Sequence, residues 1–457
     1  MFLELDKKNR SAVAVIDDSG AQLTYGEICD FSAEFGRQLP ARSLFFLLSE
    51  NRIGSLLGYT ASLSNRVVPL LLSAKTETGL YEHLRDLYRP AFLWVPEEME
   101  FPYEPVFRAR GYVLLKTGFD SAQMFDDLAL LLPTSGSTGS PKLVRHSYRN
   151  IEANADNVRR LFGLNADERA MAVLPMHYTM GLSVISSHLL AGATLLLSGR
   201  SLLDRGFWAM LKEATSFTGV PYSYELLMKM RFTRMDLPNL RIITQGGGKL
   251  TPEMFQTLAE YARDKGKKFI ATYGQSECTA RMAYLPAELA LEKTCSIGFA
   301  EPGGRLSIVD ADGVETFEGE ATGEMVYRGE NVTLGYANGP EDLQKGDENQ
   351  GIRRTGDLAR RDADGCYFII GRLGRFLKIF GLRIGLDEVE NLIRQEFKAD
   401  CYCKGDDERL IVLITDRNLV DRLPAFIEEK THLFHKNIEI RLVDAILRNE
   451  AGKVINQ

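Results

Sequence analysis

Short unbroken apolar runs alternate with longer stretches in which apolar positions recur every three or four residues. The runs at 43–48, 67–72, 91–95, 128–133, 170–174, 193–197, 241–245 and 269–273 predict strands. The periodic stretches 25–39, 51–64, 76–87, 150–162, 202–214, 222–230 and 251–266 predict helices. Thr251-Pro252-Glu253 is a helix start: a capping hydroxyl, proline in the first turn, then an acid. Alternation of this kind predicts α/β layers with mostly parallel strands. From about residue 297 glycine becomes dense and the strands become short (305–309, 323–327, 366–370), which predicts an antiparallel, barrel-like subdomain over about 297–371. The last part holds helical patterns at 386–396 and 419–431 and strands at 410–414 and 438–442. The expected organisation is therefore a large domain, 1–371, and a small mobile α+β domain, 372–457, with the hinge among the glycines of 371–375.

The length of 457 residues is ample for a large core without disulfide or metal staples. A net charge of -7 argues against a broad footprint for nucleic acid or an anionic membrane. Six sparse cysteines without paired metal spacing, and a start too short in apolar residues for a signal peptide, place the chain in the reducing cytoplasm. The one long uncharged stretch, 181–199, is broken by Ser183, Ser186, Ser187, His188 and Thr194. It predicts a buried helix followed by a strand, not a membrane span.

Most chemistry is concentrated in a few loops. The run Thr134, Ser135, Gly136, Ser137, Thr138, Gly139 leads from a strand to Lys142. Small residues let backbone amides turn toward an anion, hydroxyls add donors, and lysine adds charge suited to a polyphosphate. The spacing is not that of the GxxxxGK[ST] loop, which argues against a P-loop kinase or ATPase. Gly246, Gly247 and Gly248 follow a strand and permit close backbone approach to a ligand.

TSGSTGSPK at 134–142 resembles the signature loop of the adenylate-forming superfamily, which holds acyl-CoA synthetases, adenylation domains and luciferase-like enzymes. Further segments resemble that family in the same order: LPMHYTMG at 174–181, QGGGKL at 245–250, YGQSE at 273–277, the GE…RG…GY stretch at 323–336, TGD at 355–357, the segment from Gly371 to Glu390, and LRNEAGK at 447–453. The resemblance implies a role for each site residue. His177 borders the reacting carboxylate. Gly246, Gly247 and Gly248 lie along the adenine and the acyl channel, and Tyr273 and Gly274 lie near adenine. Ser276, in place of the usual threonine, donates to the α-phosphate, and Glu277 holds Mg²⁺. Asp357 accepts the ribose hydroxyls, Arg372 contacts ribose or phosphate, Gly381 lines a thiol tunnel, and Lys453 reaches the carboxylate and α-phosphate. The GE…GY stretch, ending at Tyr336, is read as architectural.

The function implied is activation of a small-molecule carboxylic acid by ATP and Mg²⁺, with pyrophosphate released. The acyl group then passes to a phosphopantetheine thiol, carried by CoA or by an acyl carrier protein. The absence of an acid in 181–188 favours a non-amino substrate over the amino acids that some relatives activate. Gly374 stands where the family has an acidic hinge residue, and Leu447 stands where it has proline. These two departures support the rival reading, a nucleotide- or acyl-adenylate-binding protein without turnover.

Overall fold

In the computed structural model, residues 1–120, 122–134, 142–379, 382–406, 408–448 and 454 are described, without the side chains of 376, 378 and 383. The chain forms two compact units. One comprises Met1–Cys295, Phe299–Arg305 and Arg328–Arg353, and the other Ser296–Gly298, Leu306–Tyr327 and Arg354–Gln457.

The first unit contains two large sheets. The nine-stranded sheet runs 299–300, 283–285, 268–273, 242–245, 216–219, 169–172, 194–197, 13–17, 22–24. Its six central strands, from Lys268–Tyr273 to Val13–Asp17, are parallel, and its edges are antiparallel. The eight-stranded sheet runs 335–337, 143–147, 128–133, 68–73, 44–49, 92–96, 112–116, 104–109, with a parallel middle and antiparallel ends. The expected strands all form, each within a few residues of its expected bounds.

Unbroken apolar runs form strands here because each strand is covered on both faces. In Leu44–Ser49, Phe45 and Leu47 join one core cluster, and Leu44, Phe46 and Leu48 join another. In the other sheet Ala170 and Ala172 share the first cluster, while Met171 faces a third. The shared cluster also holds residues of the helices Tyr25–Phe35, Ile53–Ser64, Tyr148–Phe162 and Thr179–Ala191, which therefore lie between the two sheets. The 181–199 stretch becomes the helix Thr179–Ala191 and the strand Thr194–Leu197, as expected. Among the described residues, no helix is long and apolar enough to cross a membrane.

Caps explain several helix bounds. Thr24 accepts from the Glu27 amide while Glu27 returns a bond to the Thr24 amide, which starts the helix one residue later. The expected helix at 202–214 is shorter, Arg205–Leu211, because Asp204 caps it by accepting from the Gly206 amide.

The second unit contains a five-stranded sheet in the order 315–316, 304–309, 321–329, 352–361, 367–372. Farther along the chain come the hairpin Phe376–Ile379/Leu382–Gly385 and the sheet Cys401–Gly405, Leu410–Ile414, Ile438–Leu442. The helices Leu386–Phe397 and Leu423–Thr431 pack with these strands around one core, from Leu377 to Ile438. Cys401 and Cys403 are buried strand thiols, and burial pushes the Cys401 thiol up to about 12. Arg375 anchors the start of this body through Asp387, Glu390 and the Cys403 carbonyl.

Candidate active site

The parallel strands of the nine-stranded sheet all end on the same edge, so the loops that follow them gather there. The strand Ile242–Gln245 ends in Gly246, Gly247 and Gly248, and Lys268–Tyr273 ends in Gly274 and the short turn Ser276–Cys278. These glycines are needed. A Cβ on Gly246 would sit 2.6 Å from Met180 and 2.7 Å from the Thr272 hydroxyl, and Gly247 is left-handed at φ 77°. The Thr272 hydroxyl donates to the Gln245 carbonyl at 2.8 Å and ties the two loops together.

Gly274 is the tightest position: a Cβ would lie 1.4 Å from the carbonyl oxygen of Ala280. That oxygen belongs to a backbone turn in which Thr279 (φ 52°) and Ala280 (φ 97°) already hold left-handed conformations. Such conformations persist only where the surroundings over-determine them. Gly274→Ala is expected to destabilise the protein by about 2–3 kcal/mol in urea unfolding at pH 7. A loss below about 0.5 kcal/mol, the range of an ordinary surface change, would show that the turn yields freely.

Glu277 follows in that turn. Its carbonyl accepts from the Thr333 amide at 3.0 Å and the Thr333 hydroxyl at 3.1 Å, which fixes the backbone. Its carboxylate accepts a 2.5 Å hydrogen bond from the Tyr336 hydroxyl and lies 3.6 Å from Arg353. Burial, and then the nearby Glu277 charge, push the Tyr336 phenol up to about 12, so it stays protonated and donates. Arg353 also donates to Gln275 Oε1 at 3.3 Å, and Gln275 donates to the Tyr273 hydroxyl at 3.2 Å. The Lys142 ammonium lies 5.6 Å from the centre of the Tyr336 ring, within cation–π range. Lys142, Tyr273, Glu277, Tyr336 and Arg353 thus form one cluster. Tyr336 and Arg353 were not among the sequence candidates. The position of Tyr336 at the end of the GE…GY stretch was the available signal for it. Arg353 carries no local pattern.

Glu277 keeps 18% of its side chain exposed, so one carboxylate is available to a cation from solvent. Among the described residues, no group of three His, Cys, Asp or Glu side chains could hold a metal. This donor set fits Mg²⁺ arriving with a nucleotide, since Mg²⁺ binds through one or two carboxylates and completes its shell with phosphates and water.

His177 follows the strand Arg169–Ala172 and packs 4.6 Å from the Tyr178 ring, with Nδ1 3.5 Å from the Ser49 hydroxyl. Desolvation holds its imidazole down to about 4, so it is neutral at pH 7. Thr134 donates to the Lys142 carbonyl through its amide at 2.9 Å and its hydroxyl at 3.2 Å, closing the base of the signature loop. Ser135, Gly136, Ser137, Thr138, Gly139, Gly381 and Lys453 lie outside the described residues. Ser276 begins the Ser276–Cys278 turn and is half-buried.

In the second unit, Asp357 is buried in the strand Ile352–Arg361, and Arg372, at the end of its antiparallel partner, donates to it at 2.7 Å. The Asp357 amide donates to the Thr355 hydroxyl at 3.1 Å, and that hydroxyl donates to the Met325 carbonyl at 2.7 Å. The carboxylate is therefore held on a braced backbone. Gly374 is exposed and left-handed at φ 85°.

Comparison with known proteins adds the following. The chain is 34% identical over 269 residues to an indoleacetate–CoA ligase of Aromatoleum aromaticum, covering 58% of this chain and 51% of that one. It is 32% identical over 276 residues to an oxalate–CoA ligase of Arabidopsis thaliana, covering 59% and 52%. It spans about half the length of these curated relatives. In fold it is similar to the O-succinylbenzoate coenzyme A synthetase of Bacillus subtilis in complex with AMP. The TM-score is 0.80 at 21% identity, over 99% of this chain and 96% of that one. The layered α/β architecture and smaller C-terminal body expected from the sequence are thus those of a known fold. The family model for AMP-binding enzymes matches residues 100–337, more than half of the chain, and the protein belongs to that family.

Proposed function

We propose that the protein activates a carboxylic acid with ATP and passes the acyl group to a phosphopantetheine thiol. A carboxylate oxygen attacks the α-phosphorus of ATP, the bond to the β-phosphate oxygen breaks, and pyrophosphate leaves. The thiol sulfur then attacks the acyl carbon, AMP leaves with the former carboxylate oxygen, and the thiol proton passes to solvent. The observation that carries this reading is the cluster of Lys142, Glu277, Tyr336 and Arg353 beside a glycine-lined loop edge. It offers fixed cations and one carboxylate, the arrangement suited to charge building up on phosphate oxygens.

Mg²⁺ bound to Glu277 would supply charge neutralisation on the phosphates. The remaining roles belong to the chain. Lys142 and the 134–142 loop hold phosphate oxygens. Gly246, Gly247 and Gly248 let the acyl-adenylate lie against backbone. Asp357 binds ribose, with Arg372 beside it. Lys453 meets the charge at the α-phosphate. Neutral His177 shapes the acid site without acting as a base, because the attacking carboxylate is already ionised at pH 7. We assign Lys453 to a small domain at 372–457, with residues 372–375 as its hinge. The separate core from Leu377 to Ile438 supports that boundary. The acceptor is CoA or an acyl carrier protein, and the names of the two curated relatives favour CoA.

The test is pyrophosphate release and hydroxamate formation over a panel of aryl, alkyl, dicarboxylic and amino acids. Non-amino acids are expected to give ATP-dependent hydroxamate. Nucleotide binding without pyrophosphate release for any acid would overturn the reading.

A further inference from the structure

A small cavity, about the size of one water molecule, lies among the strands Leu128–Pro133 and Leu143–Ser147 and the helices Tyr148–Phe162 and Thr179–Ala191. Its polar lining is His146, Asn154, Thr179, Ser183, Ser186 and Thr279. His146 and Asn154 are almost wholly buried, and the His146 Nε2 and Asn154 Nδ2 atoms have no hydrogen-bond partner in the protein.

The neighbouring bonds fix the character of both atoms. The Thr279 hydroxyl is 2.8 Å from the Asn331 carbonyl, which can only accept, so the single Thr279 proton goes there. The 3.2 Å contact between His146 Nδ1 and Thr279 Oγ1 is then a donation from histidine. Burial holds this imidazole down to about 3, so it is neutral and Nε2 is a bare acceptor. On the other side, Arg281 donates to the Ser183 hydroxyl at 2.7 Å, and Ser183 donates to Asn154 Oδ1 at 2.8 Å. That leaves Asn154 Nδ2 as a bare donor.

One unpaired acceptor and one unpaired donor thus belong to side chains that line the same water-sized space, whose remaining surface is chiefly apolar. Burying either without a partner is costly, and a buried water pairs with such atoms where it finds at least two polar partners. We propose that this cavity is a binding site for one ordered water molecule, which donates to His146 Nε2 and accepts from Asn154 Nδ2. The water completes a hydrogen-bonded chain from Asn331 through Thr279, His146, Asn154 and Ser183 to Arg281. That chain ties the left-handed turn after Glu277 to two of the helices between the sheets.

The test is a crystal structure of the full chain at a resolution that shows ordered water, with ¹⁵N NMR of the His146 ring. The expected result is one water within about 3.2 Å of both atoms and an Nδ1–H tautomer for His146. In Asn154→Leu the water peak is expected to vanish. An empty cavity, a protein atom paired with either nitrogen, an Nε2–H tautomer, or a peak that persists unchanged in Asn154→Leu would each overturn the proposal. The first three readouts need only the wild-type protein.

Discussion

Glu277→Gln is expected to lower ATP–pyrophosphate exchange by about 10²–10³-fold, the range seen when one preorganised electrostatic contact to a reacting centre is removed. Glutamine has the shape of glutamate and can still accept from the Tyr336 hydroxyl, so the turn should hold and thermal unfolding should shift little. What disappears is the negative charge. Arg353, 3.6 Å away, would then face the site without its carboxylate. The Mg²⁺ concentration needed for half-maximal exchange should rise, and added Mg²⁺ should restore part of the rate. Tyr336→Phe removes one hydrogen bond and no charge, so it should cost far less. Exchange within threefold of wild type in Glu277→Gln would take this carboxylate out of the reaction.

A second large effect is expected in acid. His146 is held down to about 3, and His177 and His188 to about 4, in each case chiefly by desolvation. For His188 the Val184 carbonyl and Glu168 oppose the shift and Arg281 adds to it. In the unfolded chain each would titrate near 6.5. Below that pH the unfolded state binds protons that the folded state refuses. The stability is therefore complete above about pH 6.5 and falls as the pH drops toward 4. Each histidine contributes about 1.4 kcal/mol per pH unit in that window, less for His177, which keeps some contact with solvent. The urea midpoint should fall steadily from pH 6.5 to 5, with proton uptake on unfolding. Equal midpoints at pH 7 and pH 5 would contradict these environments.

The sequence showed the centre of the fold better than its rim. The apolar run 128–133 matches the strand Leu128–Pro133 to the residue because both of its faces are covered and every position is apolar. The edge strand Glu104–Ala109 is mostly exposed and carries charge, so no pattern marks it in the sequence. The hairpin Phe376–Ile379/Leu382–Gly385 lies just past the glycines that read as hinge, where Lys378 and Arg383 interrupt the apolar positions. Local motifs located Glu277, Gly274 and the Gln245–Gly248 loop, because a turn with special backbone needs leaves glycines in the sequence. The carboxylate's partners are different. Tyr336 resembles a core tyrosine at a strand end, and Arg353 precedes the TGD segment without belonging to it. Their meeting with Glu277 follows from how distant strands are brought together, which no linear pattern records.

The bonds at the base of the signature loop have a consequence for affinity. Thr134 bonds twice to the Lys142 carbonyl, and Pro133 pairs with Leu143 in the strand ladder beneath. Bringing the ends of a chain segment together costs entropy that grows with its length. On the proposed phosphate role of the 134–142 loop, that cost is met in folding, by the pairing of two buried strands, and is not incurred again when a phosphate arrives. A substitution that frayed the Pro133–Leu143 pairing would transfer this entropy cost to the binding step. Under the proposed function it would weaken nucleotide affinity without changing any residue proposed to contact the ligand.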